Sequence, residues 1–274
     1  MAALAEPFAF FARRPAPPLD RFVATIWAVR GSAGYRRAAV LPNGAIQLMV
    51  NFGAPHGVTA IADRRADLTF ARAWIAGMQE APLAIVSPLH SDLLAIRFRP
   101  GGAHAFLPVP PSAIANDVVD AQALLGADVD ELRERLCAAP TRERQAAAVE
   151  AWLLARLRPR EPAHSIVQRA VTMLGQRAPG ESVAGACERL GVSNRWLIRM
   201  FRDTVGVPPK TYARIRRFHE ALRRLPASSR ADLALDLGYA DQAHFNHEFR
   251  RFSAVAPGAF LRLRGEDGES LVLG

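Results

Sequence analysis

Residues 193–212 of the chain read SNRWLIRMFRDTVGVPPKTY, and residues 241–260 read DQAHFNHEFRRFSAVAPGAF. At an offset of 48 positions the two stretches share four residues: Phe201 with Phe249, Arg202 with Arg250, Val207 with Val255, and Pro209 with Pro257. These shared positions are the ones that a helix, a turn and a further helix require. The sequence therefore predicts one helical unit that occurs twice.

The residues before each stretch predict a tight turn between two helices. Gly191 and Gly238 each follow a leucine, and glycine is the residue that most readily takes the left-handed conformation at a helix end. Ser193 and Asp241 follow, and both are preferred N-cap residues for the next helix. Two helices that meet at such a turn form a helix-turn-helix unit.

The second helix of each unit has one apolar and one polar face. Leucine, methionine and phenylalanine recur at three- and four-residue spacing and predict a buried stripe. The opposite face carries arginine, asparagine and glutamine, which can form paired hydrogen bonds with base edges in the major groove of DNA. A solvated surface is the alternative for either helix alone, but the duplication favours base reading. The predicted base-reading residues are Asn194, Arg195, Ile198, Arg199, Gln242, Ala243, Asn246 and His247.

A continuous helix is predicted between the two units. The stretch Pro208–Arg224 reads PPKTYARIRRFHEALRR, and proline is tolerated in the first turn of a helix. At about 1.5 Å per residue, this helix is roughly 25 Å long. That length suits a strut that holds two reading helices about one turn of DNA apart, which is roughly 34 Å.

The stretch LGYADQAHFNHEFRRF at 237–252, followed by Pro257, resembles the DNA-binding domain of the AraC/XylS family of bacterial transcription regulators. The resemblance extends over about 163–264. It implies a domain with two helix-turn-helix units joined by a long helix. Counted along that domain, the third and the sixth helix enter adjacent major grooves of double-stranded DNA. It also implies contacts with backbone phosphates, for which the matching residues are Arg202, Lys210, Arg216, Arg250 and Arg251.

Three residues depart from the family's pattern. Cys187 replaces a common alanine, His247 replaces a common arginine, and Ala254 replaces the glycine before the proline turn. The bases that are read therefore cannot be carried over from a relative.

Length and charge predict two domains. The chain has 274 residues, half of them hydrophobic, which is enough for more than one core. Residues 160–264 contain 18 Lys and Arg against 9 Asp and Glu, as expected of a module that binds a polyanion. The last ten residues are acidic. We predict a β-rich domain at 1–117, a helical connector at 118–158, a DNA-binding domain at 159–264 and an acidic tail at 265–274. Residues 159–164 are the predicted linker.

The first of these segments is predicted to be β-rich. Short alternating apolar stretches broken by Gly and Pro are typical of a small β-barrel or sandwich, and residues 118–158 have the pattern of a helical connector. The fold class is thus α+β with two domains. PNGAIQLMVNFG and LLAIRFRPGGAHAFLPVP also resemble a β-rich N-terminal domain of some AraC-type regulators, which implies a sensory or dimerising role. The candidate effector-binding residues are Gln47, Asn51, Trp74, His90 and Arg97.

The sequence gives little support for an enzyme. His244, His247 and Glu248 resemble a metal site only superficially, because the zinc-protease helix needs its histidines four residues apart. Cys137 and Cys187 form no metal-ligand pair, and no nucleophile motif is present. We expect a cytoplasmic regulator with no cofactor, metal or membrane partner. A small-molecule effector and a homodimer are expected partners besides DNA. The alternative is a ligand-binding or catalytic β-barrel with a helical domain that does not bind DNA.

Overall fold

A computed structural model describes residues 8–32, 36–60, 68–158, 162–175, 182–265, 268 and 270–273. The strands in these ranges are β1 (Ala9–Arg13), β2 (Val23–Gly31), β3 (Arg37–Val40), β4 (Gln47–Asn51), β5 (His56–Ala60), β6 (Leu68–Phe70), β7 (Ala73–Ala76), β8 (Leu83–Val86), β9 (Ser91–Phe98), β10 (Val118–Asp120) and β11 (Ser270–Val272). The helices are α1 (Ala121–Leu125), α2 (Ala127–Ala138), α3 (Arg142–Arg156), α4 (Pro162–Gly175), α5 (Val183–Leu190), α6 (Asn194–Val205), α7 (Pro209–Arg224), α8 (Arg230–Asp236), α9 (Gln242–Ser253) and α10 (Pro257–Leu263).

The strands form two antiparallel sheets. The first has the order β1-β2-β9-β4-β7-β10, and the second has the order β11-β3-β8-β5-β6. Within the described ranges both sheets are open, so the N-terminal domain has the predicted sandwich-like arrangement and is not a closed barrel. The α+β class with two domains is confirmed.

The first sheet is buried on both faces at its inner strand β4, where successive side chains point in opposite directions into two different cores. On β4, Leu48 and Val50 belong to the main core. Met49 lies between them in sequence and faces a smaller core with Trp74 and Leu93. The near-continuous apolar sequence of β4 follows from this double burial.

The predicted helical connector begins with a strand. Residues 118–120 form β10, which pairs with β7, and the helices start at Ala121. On α3, Val149, Trp152 and Leu153 are buried in the main core. The predicted linker lies partly outside the described residues, and α4 begins within it at Pro162. We refer to β1–β10 with α1–α3 as the N-terminal domain, and to α4–α10 with β11 as the C-terminal domain.

The C-terminal domain is built around α7, which has Pro208 as its N-cap and ends at Arg224 as predicted. Aromatic rings join its neighbours to it. The Phe201 ring on α6 lies 5.6 Å from the Tyr212 ring, and the Phe218 ring lies 5.2 Å from the Phe249 ring on α9. Both flanking helices are thereby packed on one central helix.

The end of the chain differs from the separate acidic tail that its composition predicts. Ser270–Val272 forms β11, which pairs antiparallel with β3 in the N-terminal domain. The physical reason is the apolar segment that follows the acidic residues: Leu271 is buried in the main core. The two domains therefore share both a core and a sheet.

Candidate nucleic-acid interface

The first helix-turn-helix unit consists of α5 and α6. Gly191 ends α5 with φ +67°, and its N–H is directed to the carbonyl oxygens of Cys187 and Glu188. The Ser193 hydroxyl accepts a hydrogen bond from the Trp196 N–H at 3.2 Å, which caps α6. The predicted glycine and cap occupy the predicted positions.

The second unit, α8 and α9, has the same construction. Gly238 has φ +70°, and the Tyr239 N–H bonds back to the Ala234 carbonyl at 2.9 Å. The Asp241 carboxylate accepts from the His244 N–H at 2.7 Å and caps α9. The predicted duplication of the unit is confirmed at the level of the fold.

The polar faces of α6 and α9 are exposed, while their apolar faces are buried. Leu197 and Phe201 on α6, and Phe245 and Phe249 on α9, have no exposed surface. Seven of the eight predicted base-reading side chains are exposed, namely Asn194, Arg195, Ile198, Arg199, Gln242, Ala243 and His247. Asn246 is half-buried, and its Oδ1 is buried without a hydrogen-bond partner.

The predicted phosphate-contacting residues are in two different situations. Arg202, Lys210, Arg250 and Arg251 are exposed. Arg216 is half-buried at the junction of the domains, where a Cβ added to Gly44 would lie 3.7 Å from Arg216 Cδ. Arg216 therefore does not lie among exposed cations as the resemblance implies, because its position on α7 faces the N-terminal domain.

Sequence reasoning missed a buried ion-pair network that attaches α9 to α7. Glu248, whose side chain is 4% exposed, accepts from Arg214 Nε at 2.9 Å and from Arg217 Nη2 at 2.7 Å. The Arg217 guanidinium also lies 4.1 Å from the centroid of the Tyr239 ring. Burial, and secondarily the Glu248 charge, raises the pKa of Tyr239. The sequence did contain a signal of this network. Glu248 lies on the apolar face of α9 that Phe245 and Phe252 define, and a carboxylate on a buried face needs a partner.

The histidines next to Glu248 do not form a metal site with it. His244 Nε2 lies 4.0 Å from Glu248 Oε2, while His247 is exposed. In the described part of the chain, no group of three or more His, Cys, Asp and Glu side chains is suitable for a metal ion. Cys137 and Cys187 are free thiols.

Three of the five candidate effector residues share the face between the two sheets. Gln47 is opposite Arg97 in the ladder of β4 and β9, and Trp74 on β7 is opposite Met49. Trp27 reaches the same place, where its Nε1 donates to Gln47 Oε1 at 3.2 Å.

The two other candidates occupy different environments. Asn51 is fully buried, and its amide donates to the carbonyls of Gly53, Ala54 and Ala71, so it holds a turn. His90 is exposed in the connection before β9 and is not on the face between the sheets.

Sequence reasoning also missed His56, which is buried between the sheets. Its ring centroid lies 5.5 Å from that of Trp74, and its Nε2 lies 3.5 Å from Ser91 Oγ. Burial lowers the pKa of His56. No sequence pattern marked this residue, because only the pairing of distant strands encloses it.

A groove of about 570 Å³ lies elsewhere, between the strands β1 and β2 and the junction of α2 with α3. Its lining includes Phe10, Asp92, Cys137 and Arg142, and none of the candidate effector residues. Searched over the described residues, the chain has no helix of the length and apolarity that crossing a bilayer requires.

Two protein families match parts of the chain. A helix-turn-helix domain family matches residues 186–263, and a domain family of unknown function, DUF6597, matches residues 12–120. No curated protein matches the chain.

Solved structures with similarity to the chain include ToxT from Vibrio cholerae, which is 10% identical, with 93% of this chain and 98% of that chain covered and a TM-score of 0.46. ToxT with a bound unsaturated fatty acid is 9% identical over 95% of this chain and 97% of that chain, with a TM-score of 0.47. The C-terminal domain of AraT, a response regulator from Geobacillus stearothermophilus, is 23% identical over 38% of this chain and 89% of that chain, with a TM-score of 0.36.

Two helix-turn-helix units on one central helix, each with an exposed polar face, define a tandem helix-turn-helix DNA-binding protein. Residues 186–263 belong to the helix-turn-helix domain family. The chain therefore joins a β-rich N-terminal domain to a C-terminal helix-turn-helix domain.

Proposed function

We propose that this protein is a transcriptional regulator of the AraC/XylS type, which recognises a specific DNA sequence by inserting α6 and α9 into successive major grooves. We call these two helices the reading helices. The observation that carries the proposal is that both present a polar, exposed face while their opposite faces are buried. A helix that is held rigidly by its apolar face and is free on the other can enter a groove without losing its own packing.

The reading helices carry complementary sets of side chains. Arg195 and Arg199 on α6 suit guanine, with which arginine forms two hydrogen bonds, and Gln242 on α9 suits adenine. Ile198 and Ala243 provide apolar contacts for thymine methyl groups. Asn194, Asn246 and His247 complete the two faces. Among the cations outside these faces, Arg202, Lys210 and Arg250 are exposed and are our candidates for phosphate contacts.

The direct test compares duplexes enriched from genomic fragments with a random duplex of equal length, across a series of salt concentrations. We expect the enriched duplex to bind about a thousandfold more tightly. Affinity for both duplexes should fall steeply with salt, because phosphate contacts release counterions.

Combined Arg195→Ala and Arg199→Ala substitutions should abolish the preference for the enriched duplex. Arg135→Ala combined with Arg144→Ala replaces two exposed arginines of the N-terminal domain and is the charge-matched control, which should retain the preference. Equal affinity for both duplexes in the unmodified protein would contradict the proposal.

We further propose that a small molecule binds between the two sheets and changes DNA affinity. Gln47, Trp74 and Arg97 share that face, with His56 beside Trp74. A compound screen by thermal shift should find ligands that stabilise the unmodified protein more than the Arg97→Gln variant. His90→Gln, off this face, is the control. The same ligands should change DNA affinity, because coupling between two sites is reciprocal. A ligand that stabilises Arg97→Gln equally, or leaves DNA binding unchanged, would contradict this part.

Homodimerisation through the N-terminal domain is our third proposal. β1 lies at the end of the first sheet, with Phe8 and Phe10 exposed. An exposed apolar edge strand is suited to pairing with another chain. Sedimentation should reveal a concentration-dependent dimer that Phe10→Glu weakens, and a monomer at all concentrations would refute it.

A further inference from the structure

The last strand of the chain ties the second helix-turn-helix unit to the N-terminal domain. β11 pairs with β3 in the register Ser270 to Val40, Leu271 to Ala39 and Val272 to Ala38. The Leu273 N–H continues the ladder to the Arg37 carbonyl at 2.9 Å. Ser270 and Leu271 are both buried.

A short connection transmits this pairing to the reading helix α9. β11 folds back on the end of α10, where Arg264 forms a bridge with Leu271. α10 is in turn packed on α9, with 5.6 Å between the ring centroids of Phe260 and Phe249. The position of α9 relative to the second sheet is thus constrained by β11 and α10.

The first unit is attached independently at another place. The Asp203 carbonyl at the end of α6 lies 3.1 Å from His104 Nδ1 in the N-terminal domain. Gly206, just after α6, is so close to Pro111 that an added Cβ would lie 3.3 Å from the Pro111 carbonyl oxygen. Both reading helices are therefore docked on the N-terminal domain.

The docked arrangement engages two cations that the family resemblance assigns to phosphates. Arg251 Nη2 lies 3.8 Å from Glu80 Oε2, and Glu80 is itself held by hydrogen bonds with Asn116. This exposed pair contributes little to stability, but its carboxylate would repel a phosphate group approaching Arg251. Arg216 is packed between Gly44 and Gly175. DNA would have to compete with the N-terminal domain for both arginines.

We infer that β11 is an intramolecular latch that holds the C-terminal domain in an arrangement of low DNA affinity. This inference rests on the proposed DNA-binding function. Release of β11 lets α10 and α9 move away from the N-terminal domain, which separates Arg251 from Glu80. A strand of only three residues is suited to this role, because few hydrogen bonds have to break for it to open locally without global unfolding.

A reversible disulfide tests the latch within one protein. Ala38 and Val272 are opposite each other in a pair flanked by the hydrogen-bonded pair of Arg37 and Leu273. Such non-hydrogen-bonded pairs have Cα atoms about 4.5 Å apart, which a disulfide can span. The variant carries Ala38→Cys and Val272→Cys together with Cys137→Ser, because Cys137 is exposed. Cys187 is buried and is retained.

We expect the oxidised form to bind the enriched duplex about tenfold more weakly than the reduced form, which is a usual size of coupling between sites. The open state is mimicked by Leu271→Asn, which removes the buried apolar side chain without changing the charge. It should bind more tightly than the unmodified protein, with a steeper dependence on salt because additional phosphate contacts form. Circular dichroism and melting curves check that each protein is folded.

The outcomes separate the latch from the proposed function. If the reduced form binds the enriched duplex specifically and the oxidised form binds it equally or more tightly, the latch is refuted and DNA recognition stands. If neither form, nor the unmodified protein, prefers the enriched duplex, DNA recognition fails and the latch fails with it. The redox comparison remains decisive if Leu271→Asn does not fold.

Discussion

At the scale of single residues, Glu248 connects α9 to α7 within the C-terminal domain. It is a buried carboxylate between Arg214 and Arg217, and removing one member of a buried ion-pair network leaves uncompensated charge. Glu248→Ala should reduce the free energy of unfolding by about 3–5 kcal/mol, measured by urea denaturation. Glu220→Gln breaks an exposed pair with Arg223 and should leave the unfolding curve unchanged. A similar loss in both variants would mean that the burial of Glu248 is unimportant.

Base reading and phosphate binding are separable at single positions. Arg199→Ala should cost about 1–3 kcal/mol of specific binding and relax selectivity at one base pair. Lys210→Ala should weaken binding to all sequences alike and reduce the slope of affinity against salt by about 1. Competition between sets of related duplexes measures both effects. Uniform loss in both variants would remove Arg199 from the base-reading set.

His56 should make stability depend on pH. Because burial lowers its pKa from the ordinary value of 6.5, the unfolded chain takes up a proton before the folded chain does. Stability is therefore complete above about pH 6.5 and decreases as the pH falls below that value, by at most about 1.4 kcal/mol per pH unit. His56→Gln should flatten this decrease in denaturation curves between pH 7 and 5, whereas His90→Gln should not. An unchanged slope in His56→Gln would assign the decrease to other groups.

Residue-level features were predictable from the sequence where they depend on near neighbours. Gly191 and Ser193 act on the turn and the helix next to them. The residue types alone therefore predicted the end of α5 and the N-cap of α6. His56 and Arg216 depend on segments far away in the sequence. His56 is enclosed by Trp74 and Ser91, and Arg216 is covered by the Gly44 loop. Local patterns hold no information about such partners.

At the scale of elements, the two units differ at the residue that follows the reading helix. Gly206 follows α6 with φ +106°, whereas Ala254 follows α9 with φ +62°. A residue with a Cβ is strained in this left-handed region by roughly 1–2 kcal/mol. Ala254→Gly should therefore raise the free energy of unfolding by about 1 kcal/mol.

Gly206→Ala is the matched substitution in the other unit. It should destabilise the protein, because φ is positive and the Pro111 carbonyl is near the added Cβ. Thermal denaturation of both variants gives the two signs. Destabilisation by Ala254→Gly would indicate that the flexibility gained by the unfolded chain outweighs the strain relieved.

The elements that sequence reasoning found are those with strong internal patterns. β2, β4, β7 and β9 contain alternating or continuous apolar stretches, and the helices of both units have three- and four-residue periodicity. β6, β10 and β11 span three residues each, too few for a periodic signal. They exist because longer strands provide an edge, as β3 does for β11.

At the scale of the whole molecule, the shared core connects the domains. The main cluster of buried residues includes Leu48 of the first sheet, Leu271 of β11 and Phe249 of α9. Composition and charge predicted two domains but not the contact between them. The charge difference indicates which ligand the surface of a domain binds, and it carries no information on how the two domains pack together. The intact chain is therefore the right material for DNA-binding measurements.

Chemical footprinting of the selected DNA site is the most direct test of tandem recognition. We expect two protected major-groove segments on one face of the duplex, about 10 base pairs apart from centre to centre. At protein concentrations that keep the DNA bound, Arg199→Ala should weaken protection at its base pair in one segment, and Gln242→Ala at its base pair in the other. A single protected segment, or loss of both segments in either variant, would contradict recognition by two helices in successive grooves.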